Sequence, residues 1–135
     1  ALCRRAGSAM TEPFAPRRRL GNWGEGVAAV QLEAEGYAIV ARNWRCAAGE
    51  IDLVARDGET LVFVEVKTRR GRAYGAPEEA LTPRKAQKLL QLGAQYVYEN
   101  ALGDINWRID LVAIELDARG LLLRCNHVRN AVLGW

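Results

Sequence analysis

The chain has 135 residues, half of them hydrophobic, which is enough for one domain with one hydrophobic core. It has no apolar run of about 18 residues or more and no apolar segment of the kind found in secretory signals, so we expect neither a membrane span nor export. The three cysteines are far apart and form no CxxC pair, which argues against a disulfide framework or a zinc ribbon and favours a reducing cytoplasm.

The positive charge is concentrated at the N-terminus. Residues 1–19 hold five arginines and one acid, whereas residues 20–135 hold 14 basic and 15 acidic residues. We therefore expect a basic, disordered tail over residues 1–19 and a nearly neutral domain over residues 20–135. Such a tail fits either an arm that follows phosphates or a segment that only adds solubility.

The first predicted element is a helix over residues 19–35, which Gly36 ends. Its apolar stripe at helical spacing is Leu20, Trp23, Val27, Val30 and Ala34. A second row on the same helix consists of small or apolar residues and one acid, and its members are Gly21, Glu25, Ala28, Ala29 and Leu32.

Alternating apolar residues predict strands over residues 37–43, 50–56 and 60–68, followed by a basic loop over residues 69–76. Thr82 and Pro83 are typical of an N-cap and first position, and they predict a second helix to about residue 100. Its expected buried stripe is Ala86, Leu89, Leu90, Gly93 and Val97. Two more strands follow over residues 106–116 and 121–128. The order αβββαββ predicts an α/β fold with a mixed central β-sheet flanked by helices.

Asp57-Gly58 between two β-prone runs predicts a type I′ hairpin. That turn places Glu50 opposite Glu65 and makes Asp52 a diagonal neighbour of Glu65, on one face. Lys67 shares this face. The other face is expected to be core, formed by Ile51, Leu53, Ala55, Val62, Val64 and Val66.

Two converging carboxylates, Asp52 and Glu65, can bind one Mg²⁺ ion, which prefers oxygen ligands. The metal would polarise a phosphodiester and activate water, and Lys67 would orient that water or neutralise developing charge. Charged residues on one strand face are more often only solvated. However, like charges placed opposite each other are destabilising, so three acids with one lysine favour a cation site.

The same residues resemble a known signature. Gly49-Glu50-Ile51-Asp52, then twelve residues, then Glu65-Val66-Lys67 is similar to the D-x(n)-E-x-K motif of the PD-(D/E)xK nuclease superfamily. Ile51 stands where the superfamily name has proline. The wider pattern resembles the YraN-like family of predicted bacterial endonucleases over about residues 20–130. The further matching pieces are Gly21-Asn22-Trp23-Gly24-Glu25, Gly36-Tyr37, Arg42-Asn43, residues 63–69, Lys85 and Arg108-Ile109-Asp110.

This resemblance implies a restriction-endonuclease-like fold in which Asp52 and Glu65 bind Mg²⁺ or Mn²⁺ and Lys67 serves catalysis. It also implies that Glu25 completes the metal site, whereas the residue alone would fit an acid favoured by the helix dipole. For Glu50, which is placed opposite Glu65, the alternatives are a metal ligand or a residue that holds the ligands in position, and we expect the second role. Expected phosphate contacts, each with exposed solubilising charge as its alternative, are Arg69, Arg70, Arg72, Arg84 and Lys85.

The expected function is metal-dependent endonuclease activity on DNA rather than RNA, with branched or repair intermediates among the expected substrates. The alternatives are a non-catalytic nucleic-acid-binding module and an assembly subunit that needs a partner. The apolar end at residues 128–135 would either dock on a second copy or cover an edge of its own domain. His127, the single histidine, is expected to be structural, and Asp110 to pair with Arg108 or a loop arginine.

Overall fold

A computed structural model describes residues 17–73 and 75–132, with the backbone alone for residues 17–19. The helices are α1 (Arg17–Ala34) and α2 (Pro83–Glu99), with a short 3-10 helix at Pro77–Ala80. The strands are β1 (Ala38–Cys46), β2 (Gly49–Asp57), β3 (Thr60–Arg70), β4 (Trp107–Leu116) and β5 (Leu122–Val128). The predicted order αβββαββ is confirmed. Most of the basic tail and the last three residues of the expected docking segment lie outside the described residues.

The five strands form one mixed sheet in the order β1-β2-β3-β4-β5. Only β3 and β4 are parallel, and all other neighbours are antiparallel. A parallel pair needs a long crossover, and the chain between β3 and β4 supplies it with the 3-10 helix and α2. In the described part of the chain, neither helix is both long and apolar enough to cross a membrane.

Both faces of the sheet are covered, so the prediction that only one face of the β2–β3 hairpin is core is wrong. On one face α1 packs its residues Trp23, Val27, Ala28, Ala29 and Leu32 against the sheet. On the other face α2 packs Ala86, Leu89, Leu92 and Tyr96 against Val54, Leu61 and Phe63. The expected stripes are therefore partly right. On α1, Ala34 is exposed although it is predicted to be buried, and on α2, Leu92 and Tyr96 are buried although they are not in the predicted stripe.

The start of α2 follows the prediction. Thr82 has extended backbone, and its side-chain oxygen accepts a hydrogen bond from the backbone N–H of Lys85 at 3.2 Å. Pro83 occupies the first helical position, where its missing N–H costs nothing. This cap fixes where α2 begins and therefore where Lys85 stands relative to the sheet.

The predicted register of the β2–β3 hairpin is wrong by two residues. Asp57 pairs with Thr60 and Arg56 with Leu61, so the turn residues are Gly58 and Glu59. Gly58 has φ of 61°, whereas Glu59 is not among the positive-φ residues. This pattern fits a type II′ turn with glycine at the first central position, whereas a type I′ turn would have placed glycine second.

The predicted basic loop over residues 69–76 is also too long. Arg69 and Arg70 belong to β3, where they pair with Glu115 and Leu116 of β4. Parallel pairing with β4 therefore extends β3 past the point where its own sequence stops alternating.

Candidate metal and catalytic site

The candidate site lies where β2 and β3 separate. Their pairing ends at Leu53 and Val64, after which β2 continues with β1, and β3 continues with β4 to Arg70. Just beyond the last pair, the Asp52 carboxylate accepts the backbone N–H of Val66 at 2.8 Å. Asp52 therefore faces β3 directly across the opening. In the observed register it lies opposite Glu65 rather than diagonal to it, as the predicted register had placed it.

Asn43 marks the same opening on β1. Pairs between β1 and β2 form on both sides of it, at Arg42–Leu53 and Trp44–Ile51, but Asn43 itself has φ of 52°. This left-handed backbone is uncommon for a residue other than glycine and interrupts the alternation of the strand. Across from it on β2, Ile51 lies on the α2 side of the core and Leu53 on the α1 side, which corrects the predicted place of Ile51 beside Leu53.

Three carboxylates meet at this opening. Glu25, Glu50 and Asp52 each offer an oxygen atom, and these atoms lie within 4.8 Å of one another. Glu25 reaches the group from α1, as the resemblance implied. Glu50, which is expected to hold the ligands in position, is itself a member of this trio. Its carboxylate also accepts a hydrogen bond from Nε of Arg45 at 2.7 Å.

Glu65 stands next to this trio and is only 5% exposed. Its Oε2 lies 3.4 Å from Nζ of Lys85, which α2 brings from the other face of the sheet. When protonated, Glu65 donates a hydrogen bond to the Asp52 carboxylate, and Lys67 acts on Glu65 through its charge. Lys85 was predicted as a phosphate contact from its motif, but its position beside a buried carboxylate could not be foreseen from the sequence.

The acids perturb each other. Burial, followed by the charge of Asp52, raises the pKa of Glu25 to about 7, although a hydrogen bond from Asn43 opposes this. Burial and Asp52 also raise the pKa of Glu65 to about 7, against the charges of Lys85 and Lys67. Burial raises the pKa of Asp52 as well, although the Val66 N–H opposes it. Such shifts cluster at functional sites because several acids are held close together out of water.

The donor set suits a small hard cation. Around one Mg²⁺ ion with oxygen ligands at about 2.1 Å, neighbouring ligands lie about 3 Å apart and opposite ones about 4.2 Å apart, so Glu25, Glu50 and Asp52 would have to move inward to bind one ion together. The positive charge of the metal would also offset the burial and repulsion that raise the pKa values of Glu25 and Asp52. The trio thus fits a divalent metal, with Glu65 able to join it through Asp52.

The residues that are predicted to contact phosphate lie in three different parts of the surface. Lys67, Arg69 and Arg70 line a groove between β3 and α1. Arg84 is exposed on α2 and, with Lys85 and Lys88, lines a shallow concavity.

Arg72 pairs through two nitrogens with the buried carboxylate of Glu115, one contact being 3.0 Å. Arg124 joins Glu115 to Glu78 of the 3-10 helix. Arg72 therefore helps to hold the segment after β3 in place, and its contact with nucleic acid stays a prediction.

A separate polar cluster surrounds His127. Its ring nitrogens lie 2.7 Å from Asp110 and 2.7 Å from Glu35, so the histidine has two acidic partners. Arg108 donates to the other oxygen of Asp110 at 2.9 Å, which confirms the predicted pair. Glu35 follows the C-terminus of α1, ten residues or about 15 Å of helix beyond Glu25. This cluster fixes the far end of α1 and takes no part in the acidic site.

Fold and site together define an α/β protein with a carboxylate cluster in the opening of a mixed sheet. Residues 24–114 match the Uncharacterised protein family UPF0102. A UPF0102 protein of Beutenbergia cavernae is 52% identical over 110 residues, which are 82% of this chain and 92% of that protein. One from Roseiflexus castenholzii is 47% identical over 117 residues, 86% of this chain and 94% of the relative. The chain therefore belongs to the UPF0102 family, and the YraN-like resemblance is confirmed.

Proposed function

We propose that this protein is a metal-dependent endonuclease of the PD-(D/E)xK superfamily, with a restriction-endonuclease-like fold, that hydrolyses phosphodiester bonds in DNA. The observation that carries the proposal is the convergence of acids from three elements on one opening. Glu25 comes from α1, Glu50 and Asp52 from β2, and Glu65 from β3. Two lysines stand beside Glu65.

The roles follow from position. Glu25, Glu50 and Asp52 would hold Mg²⁺ or Mn²⁺, which when bound supplies charge to polarise the phosphate and activate water. Val66 N–H fixes the Asp52 carboxylate in orientation. Lys67 and Lys85 place positive charge beside Glu65. Lys67 would neutralise charge that develops on the phosphate, and Lys85 would hold the Glu65 carboxylate in place.

The proposal is tested with a panel of linear, branched and single-stranded DNA and RNA, each incubated with Mg²⁺ or Mn²⁺. We expect cleavage of at least one DNA, and we expect Asp52→Asn to lower its rate at least about 100-fold because an essential ligand is removed. The matched control is Asp104→Asn, at an exposed acid outside the site.

Circular dichroism should show both variants folded. Binding of DNA by the wild-type chain without cleavage of any substrate would contradict the proposal and favour a non-catalytic binding module. Equal cleavage by Asp52→Asn and the wild-type chain would contradict the assigned site.

A further inference from the structure

A groove runs beside the carboxylate cluster, between α1 and the end of β3. Its α1 wall consists of Leu20, Gly21 and Glu25, and its β3 wall of residues 66–70. Glu25 belongs both to this wall and to the carboxylate trio, so the groove opens directly onto the candidate site.

The charge of the groove is strongly positive away from Glu25. Three cationic residues line it, Lys67, Arg69 and Arg70. Among the described residues, the buried Nε of Arg70 has no hydrogen-bond partner. A buried donor without an acceptor is costly, so a side-chain movement that let a ligand oxygen accept from this Nε would be favourable. Arg69 donates to the carbonyl of Thr68 at 3.3 Å, which holds its guanidinium beside the groove.

The size and the apolar lining of the groove favour single-stranded over double-stranded nucleic acid. Its volume of about 650 Å³ is that of a site for a small ligand, too small for a duplex to enter. Leu20 and Val66 are partly buried against the core and give the groove an apolar lining next to its cations. An apolar lining with cations alongside suits a single strand, whose bases and phosphates contact different groups.

We propose that this groove holds the single-stranded segment that flanks the scissile phosphate. This inference rests on the proposed function and adds a path for the substrate, which would pass Arg69, Arg70 and Lys67 before reaching the acids. Phosphate oxygens would accept hydrogen bonds from the two guanidinium groups, an interaction for which arginine is well suited.

Two glycines of α1 provide a sharp test. A Cβ atom at Gly21 would meet nothing within 4 Å, and the same holds at Gly26. Gly21 lines the groove, whereas Gly26 does not. Gly21→Leu would therefore fill the groove without removing a charge or disturbing the core, and Gly26→Leu makes the same change on the same helix outside it. Both replace a helical glycine by a better helix former, so both should fold.

Affinity is measured by fluorescence anisotropy with a labelled single-stranded DNA of about 12 nucleotides, in EDTA so that the probe stays intact. We expect Gly21→Leu to weaken binding at least tenfold and Gly26→Leu to stay within twofold of the wild-type chain. Arg69→Ala and Arg70→Ala should each weaken binding. Each should also reduce the log–log slope of affinity against salt by about 0.7 for every phosphate that the variant no longer neutralises.

Unchanged affinity in Gly21→Leu would overturn the inference, as would a larger loss of affinity in Arg84→Ala and Lys88→Ala on α2 than in the arginine variants of β3. Absence of any binding by the wild-type chain would overturn it too. These outcomes are separate from the proposed function, which is decided by cleavage. A wild-type chain that binds through the groove but cleaves nothing refutes only the nuclease, and a Gly21→Leu chain that binds and cleaves normally refutes only the groove.

Discussion

At the scale of single residues, the site depends on the contact between Glu65 and Lys85. Glu65 is almost completely buried, and the ammonium group 3.4 Å away is its nearest basic partner among the described ion pairs. Because Lys85 lowers the pKa of Glu65 against burial and Asp52, it holds that pKa at about 7 rather than higher. Lys85 is therefore a positioning residue in the proposed reaction, and Lys67 acts on the same carboxylate.

We predict that Lys85→Met moves the pH dependence of cleavage to higher pH. If the reaction needs ionised Glu65, its rate rises with pH through the pKa of that group. Loss of the nearby positive charge should raise this pKa by about one unit, so the rate at pH 7 falls while the rate at high pH is largely retained. The measurement is a pH–rate profile, supported by NMR titration of Glu65.

The control for this prediction is Arg84→Met, at the preceding exposed residue, which should leave the midpoint unchanged. If Lys85 only contacts phosphate, Lys85→Met will instead raise KM and leave the midpoint of the profile where it was.

The sequence already indicated Asp52, Glu65 and Glu25, because the spacing of acids and the helix row that carries Glu25 are local patterns. It did not indicate that Lys85 would contact Glu65, since that contact depends on how α2 crosses the sheet. Asn43 was also missed as a site residue. Its left-handed backbone and its hydrogen bond to Glu25 have no local signature beyond the ability of asparagine to adopt positive φ.

At the scale of elements, the approach of α1 to β3 sets the position of Glu25. A Cβ atom on Gly24 would lie 2.1 Å from Oγ1 of Thr68 and 3.4 Å from its Cβ. Gly24 thus permits the helix to touch the strand at the turn that carries Glu25. The helices and strands themselves followed from apolar periodicity, but this close approach and the hairpin register did not. The register differed because Gly58 can be either the second central residue of a type I′ turn or the first of a type II′ turn.

We predict that Gly24→Ala lowers the free energy of unfolding by about 1–3 kcal/mol through overpacking, and that it weakens metal binding by displacing Glu25. Thr68→Ala removes the hydroxyl that the new methyl group would strike. The double variant should therefore recover much of the stability and of the metal affinity, a coupling expected only for residues in direct contact. Denaturant unfolding and Mn²⁺ titration measure the two effects, and strictly additive effects in the double variant would contradict the proposed overpacking.

At the scale of the whole molecule, two polar clusters contact α1, one at its middle through Glu25 and one just past its C-terminal end through Glu35, and they affect stability differently. Around His127, burial opposes protonation, but hydrogen bonds to Asp110 and Glu35 prevail and raise its pKa. That stabilisation is complete below about pH 6.5, the ordinary histidine pKa, and is lost as pH rises through the raised value. At the carboxylate site, the charges of Lys85 and Lys67 do not outweigh burial and repulsion, so without a metal the ionisation of Glu25 and Glu65 destabilises the fold.

The final prediction concerns this destabilisation. The pKa values of Glu25 and Glu65 are raised from 4.5 to about 7, so the folded protein binds more protons than the unfolded chain between these pH values. Stability without metal must therefore fall as pH rises through this range. Glu65→Gln removes one ionising group and should stabilise the metal-free protein at pH 8 by roughly 1–3 kcal/mol, with little effect at pH 5. Mg²⁺ should raise the Tm of the wild-type chain at pH 8 more than at pH 5, because protons compete for the ligands. Because His127 also titrates, the pH dependence of stability in wild type alone does not report on the acidic site. The difference in free energy of unfolding between Glu65→Gln and wild type does, and Asp104→Asn is the control. If Glu65→Gln and Mg²⁺ each changed Tm equally at pH 5 and pH 8, the acids of this opening would not repel one another in the folded protein.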